Sequence, residues 1–339
     1  MKHYLSIVAL LFMAINFVSC STTKVRTIYC PERDYYNDTF CVKEYEEKEN
    51  PYVLKSKRDY SIKVKSITKG CRNDYERICA IYKWICDNIQ YDTSYEIYDA
   101  DRCYKNKKGV CSAYCNLFYY MAKAAGVRTE IVNGSAKGFG GIGGHVWIFA
   151  YINKKQGILL DPTWGAGSVG GMTFYKRDDC WEWFNVDPKR MILTHFPEDE
   201  TYQFLETPVS FDQFVGFPHV DIDYIKNGIT ADYIFEKSIK NELSLPSFCT
   251  ECYRILDIVS VPMTRTLKEG ETYTFSIRPK TGLDWAIDLS GEWIDDWVIS
   301  DDGIYTMTLT ISRNGTLSIR AKLCEGKIYN RAITYDVKK

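Results

Sequence analysis

The stretch KKGVCSAYCNLFYYMAKAAGV, residues 107–127, decides the fold of the region around it. Its apolar residues recur at spacings of three and four, which predicts an amphipathic helix that begins near Cys111 and stops at Gly126. The apolar face consists of Tyr114, Leu117, Phe118, Met121, Ala122 and Ala125. A cysteine at a helix start meets unpaired amide groups that favour its thiolate form. Free cysteine is also among the most buried residue types, so Cys111 and Cys115 can each be reactive or structural.

Elements on both sides of this helix predict an α+β domain. Upstream, isoleucines recur at helical spacing within residues 73–90, at positions 78, 81, 85 and 89. Downstream, strand-like runs cover residues 129–135, 145–152 and 157–164, and a turn at residues 153–156 joins the last two. A helix followed by sequential antiparallel strands is typical of the α+β class.

Two polar residues on the predicted hairpin provide partners for a reactive cysteine. His145 opens one strand, and Asp161 closes the next one just before Pro162. A hairpin around the 153–156 turn places the two opposite each other, within reach of a side-chain hydrogen bond. A thiolate, an imidazole that transfers the proton and a carboxylate that orients the imidazole are what nucleophilic catalysis needs. Packing explains each residue alone, but the three together favour catalysis by Cys111.

The remaining histidines and the glycine-rich stretch receive other interpretations. His195 and His219 lie in flanking stretches, and no catalytic role is predicted for them. The stretch GFGGIGG, residues 138–144, matches the Gly-x-Gly-x-x-Gly pattern of nucleotide-binding loops. Such a loop should open a helix, but this one runs into strand-like residues, so nucleotide binding is not predicted. The stretch is interpreted as a flexible loop beside the site, either a mobile lid or a plain connection.

Composition limits the partners. The 339 residues carry a formal net charge of −1 and no block of one sign, so no nucleic-acid partner is predicted. Among the 13 cysteines, Cys30 and Cys41 flank a polar loop and could form a disulfide. Cys249 and Cys252 form a lone Cys-x-x-Cys, for which pairing or packing is favoured over a zinc site.

The N-terminus predicts export. Residues 1–20 have basic residues, an apolar run too short to span a bilayer, and an ending that resembles a bacterial lipobox. Cys20 would then be the lipid-modified first residue of a protein anchored in the cell envelope, on the periplasmic or the surface side. An ordinary cleaved signal that releases a soluble protein is the alternative.

The rest of the chain divides into three predicted parts. Residues 21–60 form an extended leader, residues 61–205 a catalytic domain, and residues 206–339 a β-rich domain whose short alternating runs suggest an antiparallel sandwich. Three tryptophans of that last domain lie near one another and form either core or a surface for a partner or glycan. They are Trp285, Trp293 and Trp297.

The motifs around the three polar residues resemble those of the transglutaminase-like superfamily. They are WI at 84–85, IQYD at 89–92, GVCSAY at 109–114, AGV at 125–127, GHVW at 144–147 and LDPTWG at 160–165. FNVDP at 184–188, HFPED at 195–199 and PVSFDQF at 208–214 further resemble the kyphoscoliosis-peptidase-like branch, in which a β-rich region follows the catalytic domain. Two departures are Cys115, where a small residue is usual, and Ile148, where asparagine is common.

The resemblance implies a papain-like fold with Cys111, His145 and Asp161 as the catalytic triad, no cofactor, and Trp147 and Trp164 beside the substrate. It implies thiol acyl transfer on a protein or peptide, and the exported setting favours a peptidase or amidase. A crosslinking or deamidating transglutaminase remains an alternative, as does a non-catalytic protein- or glycan-binding lipoprotein that keeps the fold. Calcium dependence is not carried over, because the sequence has no acidic calcium-binding loop of the EF-hand type.

Overall fold

The structure is a computed structural model that describes residues 40–46, 49–138, 141–218, 220, 222–249, 252, 255–280, 284–322 and 329–339. The predicted signal sequence, Cys20, Cys30 and His219 lie outside these residues. Within them, no helix has both the length and the apolar character needed to cross a bilayer.

Helices and strands alternate in the first half of the described chain, and strands dominate the last third. The helices are α1 Ser61–Ile67, α2 Asp74–Asn88, α3 Ala100–Asn106, α4 Cys111–Ala124, α5 Pro162–Ala166, α6 Pro188–Met191, α7 Phe211–Gly216, α8 Ile222–Lys226 and α9 Ala231–Ile239. The strands up to residue 197 are β1 Cys41–Val42, β2 Gln90–Tyr91, β3 Lys108–Gly109, β4 Thr129–Gly138, β5 Gly141–Tyr151, β6 Gln156–Leu160, β7 Gly167–Gly170, β8 Thr173–Lys176 and β9 His195–Pro197. The later strands are β10 Ser247–Phe248, β11 Leu256–Ser260, β12 Thr266–Lys268, β13 Thr272–Pro279, β14 Trp285–Leu289, β15 Glu292–Ile294, β16 Val298–Ile299, β17 Tyr305–Thr310, β18 Gly315–Lys322 and β19 Tyr329–Lys338.

One antiparallel sheet with the order β1-β6-β5-β4-β9 organises the first half of the chain. Alternate residues of β5 face opposite sides of this sheet. Val146, Ile148 and Ala150 pack in one core cluster with the buried faces of α2 and α4. Trp147, Phe149 and Tyr151 belong to a second cluster. The sheet is therefore covered on both faces, with α4 on one of them.

The predicted helices are confirmed with small shifts at their ends. The side chain of Asn73 caps α2 by accepting from the amide of Glu76, and Ile78, Ile81 and Ile85 are fully buried. The helix α4 begins at Cys111 as predicted, and its apolar face is buried except at Ala125. Burial of these stripes, more than intrinsic helix propensity, stabilises both helices.

The C-terminal strands form two sheets that share one core. The larger sheet contains β14, β18 and β19, and the smaller one has the order β11-β13-β17-β16. Side chains from both sheets, including Phe275, Ile287 and Ile333, form a single hydrophobic cluster. The predicted sandwich-like region is confirmed, and the chain combines a mixed helix-and-sheet half with a β-rich half.

Three local features differ from expectation or resolve an alternative. The region predicted to be β-rich from residue 206 opens with three helices, α7 to α9, and its strands start at Ser247. Trp285 is buried in the sandwich core, and Trp297 packs against that core. Trp293 is 51% exposed, so the three tryptophans do not share one environment.

The described residues of the glycine-rich stretch, 138 and 141–144, lie in strands and not in a loop, which corrects their interpretation. Gly138 pairs with Gly141, and residues 141–144 continue β5 in register with residues 135–138 of β4. Residues 139 and 140 lie outside the described residues. Glycines carry no side-chain signal for a strand, so the hairpin extension was not visible in the sequence.

Candidate active site

The thiol-bearing residue Cys111 is the first residue of α4. The preceding residue, Val110, is extended and its side chain makes no capping hydrogen bond. No acidic residue lies in the first turn. No capping or acidic side chain therefore offsets the positive potential of the N–H groups in this turn, and this potential favours an anion at Cys111.

Local contacts fix this helix start. The buried carboxylate of Asp92 accepts hydrogen bonds from the amides of Glu96 and Ile97 and so folds the preceding loop. The carbonyl of Ile97 then accepts from the amide of Val110 at 2.9 Å. A side chain at Gly109 would meet Ala113 Cβ at 2.5 Å, which explains the glycine of the Gly-Val-Cys motif.

The side chains of His145 and Asp161 meet as predicted, but from a different register. The Nε2 atom of His145 lies 2.7 Å from Oδ2 of Asp161, and both side chains are buried. Ile148 pairs with Leu160, and continuing that register places Asp161 opposite Trp147. His145 is therefore two residues from the predicted facing position, on the same side of the sheet. Diagonal neighbours of this kind remain within side-chain reach.

The strand predicted for residues 157–164 is shorter in the structure. The strand β6 ends at Leu160, the helix α5 begins at Pro162, and Asp161 lies between them. Its Oδ1 caps that helix by accepting from the amides of Thr163 at 2.7 Å and Trp164 at 3.0 Å. One carboxylate oxygen is thus fixed by backbone, and the other faces the imidazole. This division orients the carboxylate toward His145.

The charges of the three side chains depend on one another. Burial raises the pKa of the Cys111 thiol, but the hydrogen bond and charge of His145 and the backbone of Val146 outweigh it, leaving the pKa below its ordinary value. Burial opposes a charge on His145, but Asp161 and Cys111 raise its pKa to about 10. Burial also opposes charge on Asp161, yet His145 and His195 hold its pKa well below the usual range. The site therefore favours a thiolate–imidazolium pair backed by a carboxylate.

A residue without a predicted role, His195, completes the site. Its Nε2 lies 3.1 Å from the same Oδ2 of Asp161, and its ring is fully buried. Burial lowers the pKa of His195 to about 4; Asp161 opposes this shift, and the charges of His145 and Arg190 reinforce it. Its strand β9 has three residues and lies 34 residues beyond Asp161, so neither periodicity nor spacing connects the two in the sequence.

His145, Asp161 and His195 also have the side-chain types and mutual distances of a metal site. The Nε2 atoms of both rings, however, lie at hydrogen-bond distance from one carboxylate oxygen. A cation would have to replace both of these hydrogen bonds to bind the three atoms. The observed contacts fit a hydrogen-bonded cluster and give no ligand set oriented toward a common centre.

Three further residues near the site are Cys115, interpreted from the sequence as packing, and Trp147 and Trp164, both expected beside the substrate. Cys115 is fully buried one turn after Cys111, and burial raises the pKa of its thiol well above the ordinary value. Trp147 is only 1% exposed and packs against the rings of His145 and His195, so it has little surface for the predicted contact with substrate. Trp164 is half-buried, with its ring 5.8 Å from that of His145, and keeps accessible surface beside the site.

Sequence comparison shows which known proteins part of this chain resembles. Residues 63–188 match the model of the transglutaminase-like superfamily. Kyphoscoliosis peptidase of Mus musculus is 29% identical over 187 residues, and that of Homo sapiens is 31% identical over 187 residues. Each alignment covers 50% of this chain but only 28% of the relative, so the similarity concerns a minor part of those proteins.

A solved structure of a TGase is 16% identical, with a TM-score of 0.25, and covers 35% of this chain and 32% of that chain. Residues 63–188 are thus similar in sequence to the transglutaminase-like superfamily, and the fold of this part of the chain is transglutaminase-like and papain-like. This segment contains Cys111, His145 and Asp161, and His195 lies just beyond it.

Proposed function

We propose that this protein is a thiol acyl-transfer enzyme that hydrolyses amide bonds of protein or peptide substrates. Cys111 is the nucleophile, His145 the acid–base residue and Asp161 the residue that orients His145. The observation that carries the proposal is the Cys111 thiol at the uncapped start of α4, with its pKa lowered by a histidine that is hydrogen-bonded to a buried carboxylate.

The steps follow from these groups. The Cys111 thiolate attacks the amide carbonyl, and the N–H groups at the start of α4 donate hydrogen bonds to the developing oxyanion. The His145 imidazolium donates its proton to the leaving amine as the carbon–nitrogen bond breaks, leaving a thioester on Cys111. His145 then takes a proton from water as the water oxygen attacks the thioester, the carbon–sulfur bond breaks, and the carboxylic acid leaves, which restores the Cys111 thiolate beside the His145 imidazolium.

Hydrolysis is the preferred outcome because two sequence relatives, from Mus musculus and Homo sapiens, carry the name kyphoscoliosis peptidase. An amine in place of water would give a crosslink, and water acting on a glutamine thioester would give deamidation. All three outcomes share the thioester on Cys111. The acceptor that reaches it distinguishes them, and the triad itself does not.

Product analysis tests the proposal. The purified protein is incubated with a denatured protein mixture, with and without a primary amine, and peptide fragments, released ammonia and amine incorporation are measured together. Wild type and Cys115→Ala are expected to release fragments, and Cys111→Ala is expected to release none. Equal fragment release by Cys111→Ala would refute the proposed nucleophile. Ammonia release or amine incorporation without fragments would replace hydrolysis of peptide bonds by deamidation or crosslinking.

Export and anchoring at Cys20 form part of the same proposal, and they place the substrate outside the cytoplasm. The support is the N-terminal sequence, with its apolar run and lipobox-like ending. Mass spectrometry of the mature N-terminus is expected to find Cys20 as the first residue, with lipid attached. A mature chain that begins elsewhere or carries an unmodified Cys20 would contradict the anchor without affecting the acyl-transfer chemistry.

A further inference from the structure

We infer that His195 is a positioning residue for the proposed reaction, a second imidazole that holds Asp161 Oδ2 in place so that this oxygen remains directed at His145. The inference rests on the proposed function of Cys111 and His145, and it extends the site from three side chains to four.

The carboxylate of Asp161 has four hydrogen-bond partners, and His195 accounts for one of the two at Oδ2. Oδ1 accepts from two backbone amides of α5, whereas Oδ2 faces His145 at 2.7 Å and His195 at 3.1 Å. During the reaction His145 alternates between charged and neutral forms and its hydrogen bond to Asp161 changes in strength. His195 gives Oδ2 a donor that does not take part in proton transfer.

The hydrogen-bond partners of His195 assign its tautomer. A neutral imidazole carries one proton, and only a proton on Nε2 gives a favourable contact with the carboxylate of Asp161. Its Nδ1 must then accept, and the hydroxyl of Thr194 lies 2.8 Å from it. The same hydroxyl lies 3.3 Å from the carbonyl of Met191, a longer contact. Thr194 therefore donates to His195, and His195 donates to Asp161.

Packing leaves the ring of His195 little freedom. Its centroid lies 5.2 Å from that of Trp147, 4.5 Å from that of Trp164 and 5.1 Å from that of Trp183. The backbone is fixed as well, because His195 pairs with Ala136 of β4, next to the strand that carries His145. Because the ring of His195 is already held in place, it can orient the carboxylate of Asp161 with little further loss of side-chain entropy during the reaction.

Two polar, neutral substitutions separate a positioning role from a packing role. The amide nitrogen of His195→Gln can reach the place of Nε2 and donate to Asp161. His195→Asn is shorter by one methylene and reaches only the place of Nδ1, near Thr194. Both remove the aromatic ring, so a role in packing alone predicts similar losses in both.

The experiment compares kcat and KM of the full-length wild type and of both variants on one substrate that the wild type cleaves. We expect His195→Gln to keep kcat within about 3-fold and His195→Asn to lose about 10- to 100-fold, with KM little changed in either. Equal kcat values in the two variants would overturn the inference.

Nitrogen-15 NMR of the histidines reports the protonation state and tautomer of His195, which a role in packing alone would not determine. The chain has four histidines, and we expect the His195 signal of the wild type at pH 7 to show a neutral ring with its proton on Nε2. An imidazolium or a proton on Nδ1 would overturn the inference.

Alkylation of Cys111 by iodoacetamide needs no substrate and keeps the test independent of the proposed hydrolysis. We expect the pKa that governs alkylation to rise in His195→Asn but not in His195→Gln, and the same pKa in both would contradict the role of His195. If no variant turns over any substrate but this difference persists, the failure lies with the proposed reaction and not with His195.

Discussion

Asp161 binds His145 with one carboxylate oxygen and caps the helix α5 with the other. The cap fixes the carboxylate through the amides of Thr163 and Trp164, and these amides belong to the same chain segment. A change at Asp161 can therefore remove the negative charge while leaving the cap in place, because asparagine caps helices about as well as aspartate.

Asp161→Asn should separate charge from structure. We expect kcat to fall at least about 100-fold, because His145 loses the charge that raises its pKa, while the free energy of unfolding falls by no more than about 1–3 kcal/mol. The matched control is Asp187→Asn, since Asp187 also caps a short helix and also precedes a proline. The control should keep wild-type activity. Equal activity of the two variants in steady-state assays would show that the charge of Asp161 is not used.

Gly134 tests the contact between β4 and β9. A side chain there would meet the carbonyl oxygen of Phe196 at 2.1 Å and the ring of Trp147 at 2.8 Å, so β9 would have to move away from β4 and carry His195 with it. We expect Gly134→Ala to lower the free energy of unfolding by about 1–3 kcal/mol and to reduce kcat.

Gly143→Ala, in the neighbouring strand β5, is the control for this change. No atom lies within 4 Å of the carbon that this substitution adds. Urea denaturation and kcat should both stay close to wild type for it. A Gly134→Ala protein as stable and active as Gly143→Ala would mean that β9 does not depend on this close approach.

Acid stability should report the buried neutral form of His195. Its pKa falls from 6.5 to about 4 on folding, because of burial, so between these pH values the unfolded chain binds a proton that the folded chain does not. Stability must therefore rise with pH in this window, and it falls as pH is lowered from 6.5 to 4. The loss is on the order of 3 kcal/mol for a group shifted this far.

His195→Gln removes this titration. Denaturant unfolding of wild type and variant at several pH values should give curves that converge as the pH falls toward 4, because only the wild type loses this contribution. The lowered pKa of Asp161 changes stability only below this pH range. The raised pKa of His145 changes stability only above it, as pH rises from 6.5 to about 10. Parallel curves would show that His195 takes up its proton equally well in the folded protein.

The sequence predicts the helices α2 and α4 and the residues Cys111, His145 and Asp161 because their signals are local. The isoleucine spacing of α2, the apolar face of α4 and the position of Cys111 at a helix start all survive in the structure. The hairpin with His145 is also predicted, since its turn at residues 153–156 is polar and short.

Features that depend on tertiary contacts are not predicted. The hairpin register follows from packing on both faces of β5, and it is shifted by two residues from the symmetric expectation. His195 lies on a strand of three residues whose only partner in the described sheet is β4, so its place beside Asp161 has no local signal. Trp147 looks like a site residue in the sequence because it follows His145 closely, but it is buried beneath the site.

The central claim is that His145 converts Cys111 into a reactive thiolate, and the direct measurement is the rate of Cys111 alkylation by iodoacetamide across pH, followed by mass spectrometry of the modified peptide. In wild type and Cys115→Ala, Cys111 should react rapidly at pH 6, because its pKa lies below the ordinary value. In His145→Ala the rate at pH 6 should fall by about 100-fold, as expected for an ordinary thiol. The same rate and the same pH dependence with and without His145 would contradict the account.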